Sequence, residues 1–111
     1  MSTTASDLRL RRDLASDVRR TAANRQLAPR AVALGALLCV AIDHEREIPW
    51  SERMPMPAFE RLEIMAATVS AAAGHGSEIT LGAQAEALAF LHEHVKDHST
   101  LMRKVAERVG R

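Results

Sequence analysis

Histidine is the residue type whose spacing here comes nearest to chemistry. Three of the five histidines fall in His92-Glu93-His94-Val95-Lys96-Asp97-His98. His94 and His98 stand four apart, so one continuous helix would present both imidazoles on one face, where they can share a metal ion. The set stops at two. A zinc hydrolase of the HExxH type needs glutamate directly after its first histidine, and Val95 stands there. The Glu-x-x-His pairs of di-iron bundles are missing as well, because Glu86 is followed three residues on by Ala89 and Glu93 by Lys96. Asp43-His44 adds a ligand only if two helix ends meet. The expectation is a weak metal site at His94 and His98 at most, set against a solvated polar face. His75, between Gly74 and Gly76, has the freedom of a general base. No nucleophile motif accompanies it, and Gly-His-Gly reads as a helix stop followed by a turn. No phosphate loop or cofactor motif is present, so the expectation is a protein without cofactor that is not an enzyme.

Arg9, Arg12, Arg19 and Arg20 form a second arrangement. On a helix they lie within about 100° of one another, a face able to contact phosphates without reading sequence. Asp13 lies four residues from Arg9 and Asp17 three from Arg20, so two of the four have local partners. A helix-turn-helix does not fit. With Gly74 as the turn glycine, the recognition helix would open Leu81-Gly82-Ala83-Gln84-Ala85-Glu86, which holds no basic residue for a phosphate or a guanine edge. Nucleic-acid association through the Arg-rich first segment is therefore the alternative function.

The leading candidate is the segment from Ile48 to Pro57, which carries the only tryptophan and two of the five methionines. Its prolines lower the entropy lost when it is immobilised, and Trp, Met and Arg are enriched at protein interfaces. Trp50, Met54 and Met56, with Arg53 beside them, make a compact anchor set for a partner protein. The competing reading folds the loop down so that Trp50 lids the core. Cys39, inside an apolar helix, reads as an inert core residue.

These residues must be positioned by helices. From about Asp7 to Leu27, Leu10, Leu14, Val18 and Ala22 step by four into one apolar stripe, with Ser6 as N-cap. Ala28-Pro29 interrupts this segment, since the residue before proline is steered away from the α region. The next segment, about 30–47, is apolar all round through its middle and then turns polar in Asp43-His44-Glu45-Arg46-Glu47. A helix without a polar face is surrounded by others, which makes this one the centre of the fold. A third segment, about Pro57 to Ala73, has proline in its first turn and Gly74 as its stop. A fourth starts near Leu81 with Thr80 or Ser77 as cap. Its stripe of Leu88, Leu91, Val95, His98, Met102, Val105 and Val109 would, if unbroken, run roughly 45 Å. The expectation is a break near Asp97-His98-Ser99 with Ser99 recapping; the alternative is an overhanging end packed on a second subunit as a homodimer.

The 111 residues, 47% hydrophobic and 26% charged, suit one folded α-helical domain over 1–111, a compact all-α bundle of four to five helices. Three aromatic residues exclude a base-stacking platform, and one cysteine excludes an internal disulfide or a CxxC…CxxC zinc site. The net charge of +1 conceals basic ends around an acidic middle: residues 1–30 hold seven Arg and three Asp, residues 31–97 four basic and ten acidic side chains. Those ends pair within the fold, join copies head to tail, or meet a polyanion. The longest apolar run, Ala31 to Ile42, is too short to span a bilayer. The free thiol and polar N-terminus point to the cytoplasm. The function expected is that of a small bacterial-type regulatory or adaptor protein acting by protein–protein binding, as inhibitors and accessory factors of mobile elements do.

Overall fold

The computed structural model describes residues 27–109. The expected first helix and its arginines, Arg9, Arg12, Arg19 and Arg20, lie outside the described residues. Four α-helices follow: α1 (Pro29–Glu47), α2 (Met56–Gly74), α3 (Leu81–His94) and α4 (His98–Val109), with a 3-10 turn at Trp50–Glu52. The described residues form an all-α bundle in which each of the other three helices packs on α1.

Pro29 opens α1, where a missing N–H and a preset φ suit the first turn. Ala28 offers no side-chain cap. The first backbone N–H groups are met instead from the loop between α2 and α3: Arg30 and Ala31 donate to Glu78 Oε2 and Oε1 at 3.0 and 2.8 Å. The Arg30 guanidinium donates to Ile79 O at 3.2 and 3.0 Å, so the loop before α3 is tied to the start of α1. Burial raises the affinity of the Glu78 carboxyl for a proton. The backbone N–H groups of Arg30, Ala31 and Ile79 and the Arg30 charge outweigh it, and the carboxyl sits below the usual carboxylate range.

α1 and α2 form a hairpin and come close at Gly35, where a β-carbon would meet Ser70 Oγ at 3.3 Å. Ala31, Leu34, Leu38 and Ala41 of α1 bury against Leu62, Ala66 and Val69 of α2. At the end of α2 the left-handed residue is Gly76, with φ of 69°, rather than Gly74. Ser77 N–H donates back to Ala72 O at 2.8 Å across this turn.

Thr80 caps α3, its Oγ1 accepting from Ala83 N–H at 3.0 Å. The helix ends at His94, and α4 is capped by Asp97, whose Oδ1 and Oδ2 accept from Thr100 N and Oγ1 at 3.1 and 2.6 Å. The expected break is present, but Asp97 and not Ser99 makes the cap. At 1.5 Å per residue the two pieces are about 21 and 18 Å long, so the overhang that argued for a second subunit disappears. The break also resets the phase of the stripe. Leu91 and Val95 are buried, Leu101 takes the core position in α4, and Leu88 and Met102 face outward.

Candidate functional site

Charge collects where α1 ends, and the two sides of that end carry different chemistry. On the side of the 48–55 loop, Glu45 is only 1% exposed. Its Oε1 accepts from Met54 N–H at 2.9 Å, while its Oε2 makes no hydrogen bond among the described residues. Arg53 reaches back over the helix end, donating from Nε to Ile48 O at 2.9 Å and from Nη2 to Arg46 O at 2.8 Å. A guanidinium on terminal carbonyls satisfies orphan acceptors and complements the negative end of the helix dipole. The same guanidinium lies 4.7 Å from the centre of the Trp50 ring. The 3-10 turn bearing Trp50 is closed by Arg53 N–H to Trp50 O at 3.2 Å, and Lys96 Nζ holds Ser51 O at 3.2 Å from the α3–α4 junction.

Trp50 is nonetheless 74% exposed, so it does not lid the core. Met56 beside it is 54% exposed. Met54, two residues back, is buried and belongs to the core cluster. The expected anchor set is thus divided: Trp50, Arg53 and Met56 reach the surface while Met54 lies beneath them. Together with Phe59, Arg46 and Glu45 they line a small pocket of about 80 Å³. Arg46 lies 5.9 Å over the Phe59 ring and 3.6 Å from Glu63 Oε2.

On the other side, His44 and Asp43 face α4 across an open cleft. Lys104 Nζ lies 3.0 Å from His44 Nδ1 and 2.9 Å from Glu47 Oε2, and Arg108 Nη1 donates to Asp43 Oδ2 at 3.2 Å. An ammonium has donors only, so His44 Nδ1 accepts and the ring proton sits on Nε2. That Nε2, on a side chain 1% exposed, has no partner among the described residues. Burial first, then the Lys104 charge, push the His44 pKa below its ordinary 6.5, against the opposing pull of Glu45, Asp97 and Glu47. His44 is therefore neutral at neutral pH.

The spacing argument for His94 and His98 assumed one helix, and the chain breaks between them. The His94 ring lies 4.5 Å from that of Phe90, and His98 Nε2 sits 3.1 Å from His92 O. Among the described residues no three His, Cys, Asp or Glu side chains are grouped to hold a metal ion. His75 follows α2 as an exposed cap residue. Cys39 is exposed, contrary to the core reading, because the described helices leave part of the circumference of α1 open. No described helix is long and apolar enough to cross a membrane.

Sequence reasoning passed over Glu78, Glu45 and the His44–Lys104 pair, all joined by contacts distant in the chain or dependent on the loop conformation. The one available signal was the abrupt polar end of an apolar helix, Asp43 to Glu47. In comparisons with known proteins, the chain matches no protein family, no curated protein and no solved structure.

Proposed function

We propose that this protein is a small binding module of regulatory or adaptor type. Its effect comes from occupying the surface of a partner protein, not from catalysis. The contact surface is Trp50, Met56 and Arg53 at the C-terminal end of α1. A single observation carries this reading: the only tryptophan is 74% exposed yet held by Arg53, which is itself tied to two backbone carbonyls. An immobilised aromatic beside an arginine and a flexible thioether is the composition of an interface hot spot, and its prior ordering lowers the entropy lost on binding. Inhibitors and accessory factors of larger machines act in this way.

The test is a pull-down from nuclease-treated lysate at moderate salt, run in parallel with the parent and with Trp50→Ala. The expected result is a stoichiometric protein retained by the parent and lost by the variant. The melting temperature should fall by no more than about 2 °C, because an exposed side chain contributes within about 0.5 kcal/mol. A partner held equally by both proteins refutes the assignment. Recovery of nucleic acid alone, lost on nuclease treatment, would favour the arginines of the first segment, Arg9, Arg12, Arg19 and Arg20.

A further inference from the structure

α4 is fastened to the bundle by few apolar side chains. Among the described residues Leu101 is its one buried side chain, with Val105 packed partly on the core. The rest of its seam with α1 is polar: Lys104 on His44 and Glu47, and Arg108 on Asp43. Glu47 and Asp43 are open to solvent, where such pairs hold little. The Lys104 bond to His44 differs, because the histidine is 1% exposed.

That bond hangs on a single proton. Lys104 Nζ only donates, so it needs the lone pair of Nδ1. A second proton on the ring occupies that lone pair. The ring then becomes a cation whose Nδ1–H faces an ammonium at 3.0 Å and whose Nε2–H has no acceptor among the described residues. The charges acting on it are Lys104 from α4, Glu45 and Glu47 from α1, and Asp97 from the α3–α4 junction. Asp43, Glu107 and Arg108 line the same cleft. The carboxylates of α1 are already engaged, Glu47 by Lys104, Asp43 by Arg108 and Glu45 by Met54 N–H. Burial and Lys104 outweigh their pull, so the docked arrangement holds the neutral ring. A buried cation without an acceptor is relieved by water. Lys104, Glu107 and Arg108 of α4 form one wall of the cleft, and moving that wall admits it.

We infer that α4 is an acid-released arm: a second proton on His44 breaks the Lys104 contact and frees α4 from α1, while the α1–α2 hairpin stays folded. Once free, its 12 residues are too few to hold a stable helix in water. Release is therefore a local unfolding that uncovers Leu101 and Val105.

The test is amide exchange of the full chain between roughly pH 7.5 and pH 5, corrected for the intrinsic pH dependence of exchange. The His44 ring resonances are titrated in parallel and assigned by their absence from His44→Asn. Below the ordinary value of 6.5 and above the lower docked value, opening of α4 should rise about tenfold per pH unit, the slope of one proton. Amides from Arg103 to Glu107 should lose protection as His44 titrates, while Leu62 and Ala66 of α2 keep theirs. In His44→Asn the side-chain carbonyl replaces Nδ1 as acceptor for Lys104 and takes no proton, so α4 should stay protected throughout. Protection of α4 unchanged as His44 titrates, loss in α2 and α4 together, or release at the same pH in His44→Asn overturns the inference. Should that variant fail to fold, the parent decides: α4 must open with the His44 titration and with α2 still protected, and any other order overturns it.

Discussion

Arg53 is the residue through which the loop, the helix end and the exposed tryptophan are joined, and replacing it by alanine tests that joint. Two hydrogen bonds from a partly buried guanidinium to the carbonyls of Ile48 and Arg46 are lost, at 2.9 and 2.8 Å. Each contributes about 0.5–1 kcal/mol where solvent competes. The contact with Trp50 at 4.7 Å adds about 0.5 kcal/mol at an exposed site. The sum is roughly 2 kcal/mol, which for a domain near this size lowers the melting temperature by about 8 °C at ~4 °C per kcal/mol. Arg53→Lys should recover no more than about half, because one ammonium cannot fork to two carbonyls as a guanidinium does. Trp50 is the only tryptophan, so its time-resolved fluorescence anisotropy reads the second half of the argument without a label. In the parent the decay should follow overall tumbling; in Arg53→Ala a fast component should appear. An unchanged melting temperature together with an unchanged anisotropy decay would refute the claim that Arg53 immobilises the tryptophan.

Other outcomes follow from the same contacts. Leu62→Ala, at a fully buried position between α1 and α2, should cost about 2–5 kcal/mol, measured as a lower urea midpoint. The depressed His44 pKa makes stability dependent on pH: the unfolded chain takes up the proton first, so the contribution is whole above about pH 6.5 and declines as pH falls toward the lower folded value. Lys104→Met removes the second cause of the depression and should flatten that decline; equal slopes in urea midpoints between roughly pH 7 and pH 5 would contradict the assignment. Glu78→Gln should destabilise the start of α1, with faster amide exchange at Arg30 and Ala31. Because the Glu78 carboxyl sits below its usual range, its contribution is present above the unfolded value and is lost as pH falls through the folded one. Asp97→Ala should fray the first turn of α4, seen as loss of the protected Thr100 amide, while α3 stays intact.

Periodicity and punctuation were enough to read the helices from the chain alone. The apolar run from Ala31 to Ile42, Pro29 and Pro57 in first turns, and Thr80 before Leu81 all act through neighbours within a few residues. Local backbone preference decides such features before any long-range contact forms. The same local logic named Trp50, Arg53, Met54 and Met56 as a group, because one short loop joins them. It failed where phase or partner comes from elsewhere. His94 and His98 share a face only on an unbroken helix, and the Asp97 cap separates them. Met54 and Met56 look alike in sequence, yet the Met54 N–H is drawn down onto Glu45 and only Met56 stays outside.

By itself, then, the amino-acid order determined that the chain is helical, where most helices begin, and that α1 is the apolar element on which the others pack, since these follow from residue type at fixed spacing. Tertiary structure decided which carboxylates are sealed in, that Glu78 caps a helix begun 49 residues earlier, that Lys104 sets the proton on His44, and that Trp50 stands in solvent. Burial and unpaired hydrogen-bonding groups belong to no residue alone: they arise only when segments distant in the chain compete for the same space and the same donors.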